Sequence, residues 1–341
     1  MNYGAIDLHA RSTWIRIVEP DGTAVLERKV TTTREALTSA FAGQALARIL
    51  IESGTESEWV AQAIEACGHE VVVASPTYAL MYGHRNPQIK TDRRDVVALA
   101  EACRHGIYRA AHRVSPQQRQ TRRALRVREQ LVRARTQLLN LVRAQLRQDG
   151  YRLPRCSSEA MPRRYATVAL PEAMRTALRP ALTTITTLTE QIVQSDTALT
   201  TVATADPVVQ RLMTAPGVGV ITALTYRAVL DDVDRFGDAR GVAAYLGLVP
   251  REDSSGTRHR KGAITKAGPN QLRVLLVQAS WVVWRQRTGG GALHAWVERL
   301  AARRGKRIAV VALARRLGRI LYAMWRDGTD YGTPRVTATP A

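Results

Sequence analysis

Leu125, Val132, Leu139 and Leu146 recur at intervals of seven, and a second ladder, Leu178, Ile185, Ile192 and Leu199, repeats the interval further on. A strand alternates its side chains every two residues and cannot satisfy such a repeat. The repeat specifies helices that each bury a narrow apolar seam against another helix. Leu131, Leu138 and Val142 widen the first stripe. The spacing predicts one helix from about Gln117 to Gln148 and a second from about Pro180 to Ala205, with "YRLPRCSSEAMPRR" between them. An antiparallel coiled-coil hairpin is the simplest way to cover both stripes; pairing between subunits, or burial as two ordinary core helices, serves as well.

The region before these helices has a different grammar. Residues 3–8 and 13–19 read as strands, "EPDGTA" supplies a turn, and a third strand follows at about 24–30. A helical pattern at 33–46, the strand "ARILIES", a helix near 57–66 and the strand "EVVVAS" come next. Hairpins followed by alternating helix and strand indicate an α/β sheet of mixed direction. Beyond the ladders, "APGVGVITA" sits between helical patterns, where Gly217 and Gly219 permit a sharp turn whose amides either face a phosphate or simply join packed helices. Helices are expected at about 270–287, 292–303 and 307–326. The fold class is therefore α/β plus all-α. The chain divides into an α/β domain at 1–115, a coiled-coil segment at 116–205, a mostly helical segment at 206–328 and a loose tail at 329–341.

Charge is distributed unevenly over these segments. Of 50 Lys+Arg and 29 Asp+Glu, residues 1–115 hold 13 of each, leaving 37 basic and 16 acidic side chains for the remainder, which accounts for the net +21. Such an excess suits a polyanion. Ten arginines lie between Pro116 and Arg152 against Glu129 and Asp149. Solubility alone is served by balanced signs, whereas a phosphate backbone favours this imbalance. Arg122, Arg126 and Arg133 are the nucleic-acid-binding candidates on this helix, and Arg258, Arg260, Lys261 and Lys266 those further on. Cys67, Cys103 and Cys156 show neither CxxC nor Cys/His spacing, so they support no zinc site or disulfide framework and fit a reducing cytoplasm. Neither an export signal nor a membrane span is legible.

Four acids in the neutral segment carry the candidate chemistry. Asp7 ends the first strand and Glu52 ends a later one, while Asp92 and Asp95, three apart in "KTDRRDVVALAE", share one face of a helix. Singly, each has a structural use: Asp92 in capping, Asp95 in pairing with Arg94 or Arg104, Glu52 as a surface acid. Jointly they match the ribonuclease H arrangement, in which repelling carboxylates are neutralised by hard divalent cations, Mg²⁺ or Mn²⁺. Glu56, Glu58 and Glu101 are the nearest decoys. Lys90, Arg93 and Arg94 either seat a strand of substrate or balance local charge.

At these residues the chain resembles the transposases of the insertion sequence 110 family. The resemblance runs through Asp7 in "AIDLH", Glu52 in "IESGT", Asp92 and Asp95, and then "APGVGVITA", "AAYLGLVPREDSSG" and "GAITKAGPNQLR". It implies a RuvC-like, ribonuclease H-type domain whose DEDD tetrad binds Mg²⁺. It also implies a noncoding bridge RNA encoded by the element, donor and target DNA as substrates, and a homo-oligomer, dimeric and then tetrameric in the synaptic complex, in a bacterial, nucleoid-associated setting. A serine of the C-terminal domain is implied to attack DNA and become covalently attached; Ser255, immediately before Gly256, corresponds to it, with Ser254 the alternative. Two other readings compete: a metal-dependent hydrolytic junction resolvase of the same fold, and a non-catalytic RNA-binding protein built on the Arg-rich coiled coil.

Overall fold

A computed structural model describes residues 1–83, 91–255, 258–286 and 291–332; Lys90, the tail from residue 333 and the side chains of Ser254, Ser255, Arg258, His259 and Lys261 lie outside the described residues. The chain forms two compact units, Met1–Val114 and Ser115–Ala341.

In the first unit, β1 (Asn2–Leu8), β2 (Ser12–Val18) and β3 (Ala24–Thr31) run as an antiparallel meander. Helix α1 (Arg34–Phe41) leads to β4 (Ala47–Glu52), and α2 (Ser57–Glu65) leads to β5 (Glu70–Ala74). Strand β4 is parallel to β1 and β5 to β4, so the order across the sheet is β3-β2-β1-β4-β5 and its direction is mixed. Alternation sends successive side chains to opposite faces. Ile6, Ile49 and Ile51 pack with Leu37, Val60 and Ile64 of α1 and α2. Ala5 and Leu50 instead meet Val96, Leu99 and Ala100 of α3 (Asp92–Arg104) on the other face. A mixed five-stranded sheet helix-covered on both faces bears out the ribonuclease H-type expectation. Helix α1 stops short of the expected residue 46, because the chain leaves helical geometry at Ala42 (ψ 130°).

In the second unit, α4 (Pro116–Gln148) and α6 (Glu172–Ala205) are the ladder helices, with the short α5 (Met161–Ala166) between them. They pack against each other within one chain, as a hairpin. Arg128 pairs with Asp196, and Arg135 donates to Thr189. Seven residues forward on α4 is thus seven back on α6, an antiparallel heptad register. Met161 and Tyr165 of α5 close the tip over Leu139, Leu146, Leu178 and Ile185. Helix α6 begins at Glu172, eight residues before the expected start, and carries Pro180 inside it. The proline forfeits one backbone bond, but Leu178 lies in the buried seam, and Arg175 donates to Val168 O at 2.6 Å, anchoring the first turn.

The rest of this unit is α7 (Pro207–Met213), α8 (Val220–Leu230), α9 (Ala239–Tyr245), a ribbon of β6 (Pro250–Ser255) and β7 (Arg258–Ile264), then α10 (Asn270–Arg285), α11 (Gly291–Arg304) and α12 (Lys306–Asp327). Helix α8 is central. Tyr226 is wholly buried and donates to Gly318 O of α12 at 2.7 Å. Gly217 precedes α8 with φ 75°, and a Cβ there would stand 2.5 Å from Ala279 O of α10. The "APGVGVITA" turn therefore has a packing reason for its glycine. No described helix is long and apolar enough to cross a membrane.

Candidate functional site: an acidic cluster on a strand-and-helix frame

Strand pairing brings the first two acids together. Ala5 pairs with Leu50 and Ile6 with Ile51 in the parallel β1–β4 ladder, so the next step sets Asp7 beside Glu52. Alternation places both on the face that Ala5 and Leu50 share, which is the face covered by α3. Helix α3 starts at that end of the strands. Thr91 is its N-cap, with Oγ1 accepting from Arg94 N at 3.3 Å. The cap directs Asp92 and Asp95 into the first turn, where the unpaired amides favour negative charge. Asp95 is buried and Asp92 is exposed.

Asp7 senses the other three carboxylates. Burial pushes the Asp7 carboxyl above its ordinary value; Asp92, Asp95 and Glu52 push the same way, while His9 opposes them. Asp7 Oδ2 is buried without a hydrogen-bond donor, and His9 Nε2 lies 3.2 Å from it. His9 Nε2 also lies 3.6 Å from Asp92 Oδ1. A cleft of about 310 Å³ is lined by Asp7, His9, Glu52, Ser53 and Glu56 among others. Oxygen donors crowded at this density, one of them buried and unsatisfied, suit a hard divalent cation, which would offset both the burial that chiefly keeps Asp7 reluctant to ionise and the repulsion that adds to it. Two of the decoys point elsewhere: Glu58 pairs with Arg113, and Glu101 with Arg104. Arg93 pairs with Glu27 of β3, a carboxylate that Arg16 of β2 also engages.

His9 carries no signal in a search for paired acids. Just past the end of β1, it gains meaning only through its closeness to both Asp7 and Asp92.

Ser255 ends β6, its backbone opposite Arg258 across the ribbon. Composition alone predicts a polar loop here; cross-strand pairing makes a ribbon that "REDSSGTRHRKGAI", poor in alternating apolar residues, does not advertise. The base of the ribbon is braced. Thr265 N donates to Val249 O at 2.9 Å and Lys266 N to Gly247 O at 3.1 Å. Arg273, itself buried, donates to Leu246 O at 3.0 Å and to Asn270 Oδ1 at 3.1 Å. Gly268 has φ 88°, and a Cβ there would lie 2.0 Å from Tyr245 O. Lys266 is exposed in the left-handed region at φ 57°.

Among the basic candidates, Arg122 donates from Nε to Ala228 O at 2.8 Å and from Nη2 to Val229 O at 2.9 Å, closing the end of α8. Burial lowers its pKa. Arg126 and Arg133 join it along a groove of about 530 Å³ that also includes Tyr245, Asn270 and Gln271. Arg133 is held by Glu129 one turn away. Arg260 is exposed on β7.

Comparison with known proteins places both halves of the chain. The family profile described as "Transposase IS116/IS110/IS902 family" matches residues 209–294, and the IS110 DEDD profile described as "Transposase" matches residues 5–149. The transposase for insertion sequence element IS1328 of Yersinia enterocolitica is 31% identical over 334 residues, 96% of this chain and 97% of that protein. The transposase for insertion sequence element IS1111A of Coxiella burnetii is 32% identical over 279 residues, 76% of each chain.

Proposed function

Because the chain belongs to the IS110 family of transposases, we propose that it cuts and rejoins DNA through a covalent serine–DNA intermediate, guided by a noncoding bridge RNA. The observation that supports the reading is the clustering of Glu52, Asp92 and Asp95 around Asp7, from two strand ends and one helix start, beside a cleft that Asp7 and Glu52 line. Those carboxylates would hold Mg²⁺, or Mn²⁺ in its place. The bound ion supplies charge neutralisation at a scissile phosphate and at the oxygen that leaves it.

The protein's own groups do the rest. Ser255 Oγ attacks phosphorus; the Oγ–P bond forms, one P–O bond to deoxyribose breaks, and the proton ends on the departing hydroxyl. A hydroxyl of a second DNA end then attacks the phosphoserine and restores Ser255. One phosphodiester is exchanged for another through a phosphoester, so rejoining needs no ATP. Following the family resemblance, the serine meets the tetrad of another subunit. Residues 1–115 act as the catalytic domain, 116–205 as the oligomerisation and nucleic-acid-binding hairpin, and 206–328 as the serine-bearing domain. Arg122, Arg126, Arg133, Arg258, Arg260, Lys261 and Lys266 are assigned to RNA and DNA contacts.

The test is a labelled donor DNA incubated with the protein, its copurifying RNA and Mg²⁺, then resolved under denaturing conditions. A protein-linked band should form and vanish in Ser255→Ala and Glu52→Gln. Cleavage without any protein-linked band, persisting in Ser255→Ala, would establish the hydrolytic junction-resolvase reading instead.

A further inference from the structure

We propose that His9 is a nitrogen ligand of the metal site, and that it biases the site toward Mn²⁺ over Mg²⁺. The inference rests on reading Asp7, Glu52, Asp92 and Asp95 as metal-binding.

Three features of the geometry support it. First, His9 Nε2 stands between carboxylates contributed by different elements, 3.2 Å from Asp7 Oδ2 and 3.6 Å from Asp92 Oδ1, and the three donor atoms lie within 4.8 Å of one another. Donors at about 2.1 Å in an octahedral shell are about 3 Å apart when adjacent and about 4 Å apart when opposite. Both His9 distances fall within that span, so a small adjustment converts an ion-pair arrangement into a coordination shell.

Second, the imidazole is carried on a held backbone. Thr32 Oγ1 donates to His9 O at 2.6 Å and lies 2.8 Å from Oγ1 of Thr13, which is wholly buried. Thr32 N also donates to Arg11 O at 3.2 Å. The turn between β1 and β2 is thereby stitched to the end of β3, the kind of outer support that keeps a metal ligand aimed. Third, as a mere ion pair His9 would contribute little, because its side chain is 53% exposed and exposed pairs are weak.

Donor chemistry then sets the preference. Mg²⁺ favours oxygen and retains water, whereas imidazole nitrogen suits first-row transition ions better. One nitrogen among carboxylates leaves Mg²⁺ binding nearly unchanged and strengthens Mn²⁺ binding.

The experiment uses the full-length, tag-free protein freed of metal by chelation, loaded with Mn²⁺ alone, and read by pulsed electron spin-echo spectroscopy. The wild type should show ¹⁴N modulation from a directly bound imidazole, altered in protein labelled with ¹⁵N-histidine and absent in His9→Ala. The Mn²⁺ Kd should rise about tenfold or more in His9→Ala, while the Mg²⁺ Kd, measured by competition, changes by less than about threefold. Mn²⁺ that binds in an Asp7-dependent way, lost in Asp7→Asn, but without nitrogen modulation overturns the inference and leaves the tetrad reading standing. Absence of any Asp7-dependent Mn²⁺ binding overturns both.

Discussion

Replacing Gly268 with alanine isolates the brace beneath the serine ribbon. The new Cβ would lie 2.0 Å from Tyr245 O, whereas real Cβ contacts essentially never fall under 3.0 Å, so two backbone segments must part by about 1 Å. Holding alanine at a left-handed φ costs about 1–2 kcal/mol. Parting the segments also strains the Lys266–Gly247 bond and the Arg273 bonds to Leu246 and Ala267, each worth about 1 kcal/mol net. The expected loss is therefore about 3–5 kcal/mol, or about 6–20 °C in Tm for a unit of this size. Thermal unfolding followed by circular dichroism at 222 nm reads it. Gly237→Ala is the control: that glycine is exposed, has no atom within 4 Å of an added Cβ, and should shift Tm by no more than about 1–2 °C. A Gly268→Ala protein as stable as this control would refute the argument that the two loops are locked backbone to backbone.

Other consequences follow from single contacts. Cys103 is buried and its thiol is pushed up to about 11, chiefly by desolvation; iodoacetamide at pH 8 should modify it about a hundredfold more slowly than the partly exposed Cys67 and Cys156, as peptide mapping would reveal. Ile185→Ala at the wholly buried hairpin seam should cost about 2–5 kcal/mol, whereas Arg128→Ala, breaking a partly exposed pair with Asp196, should cost about 1 kcal/mol or less; denaturant titration separates the two. Asp7 has a raised folded pKa, so the native state holds its proton above the ordinary value of 3.8 while the unfolded chain has released it. Its contribution to metal-free stability is thus greatest at low pH and falls as pH rises through the window between 3.8 and the folded value. Asp7→Asn should flatten that dependence and raise the metal-free Tm at pH 7, while abolishing stabilisation by added Mn²⁺.

The ladders are legible in the sequence because a seven-residue repeat restricts a chain to packed helices, and Arg128–Asp196 and Arg135–Thr189 realise the antiparallel version. The acids are legible as types, since Asp7 and Glu52 close strands and Thr91 caps the helix that starts with Asp92. The geometry of their convergence is not, because it depends on the parallel register of β1 with β4, a pairing between residues over forty positions apart. His9 escapes notice for a related reason: one histidine has meaning only after Asp92 has been brought to it. Pro180 misleads about the start of α6, where tertiary packing at the hairpin tip outweighs a local helix breaker. The ribbon bearing Ser255 is hidden because its residues lack apolar alternation, and the polar composition gives no sign that Gly268 and Arg273 clamp its base.

The proposed recombination stands on a chemical link between Ser255 and DNA. Acid-quenched reactions with donor DNA and Mg²⁺, digested with nuclease and protease and sequenced by tandem mass spectrometry, test it most directly. The prediction is a nucleotide remnant on the peptide containing Ser255, localised to that residue and absent from Glu52→Gln. A remnant on another residue, or severed DNA with every peptide unmodified, would contradict it.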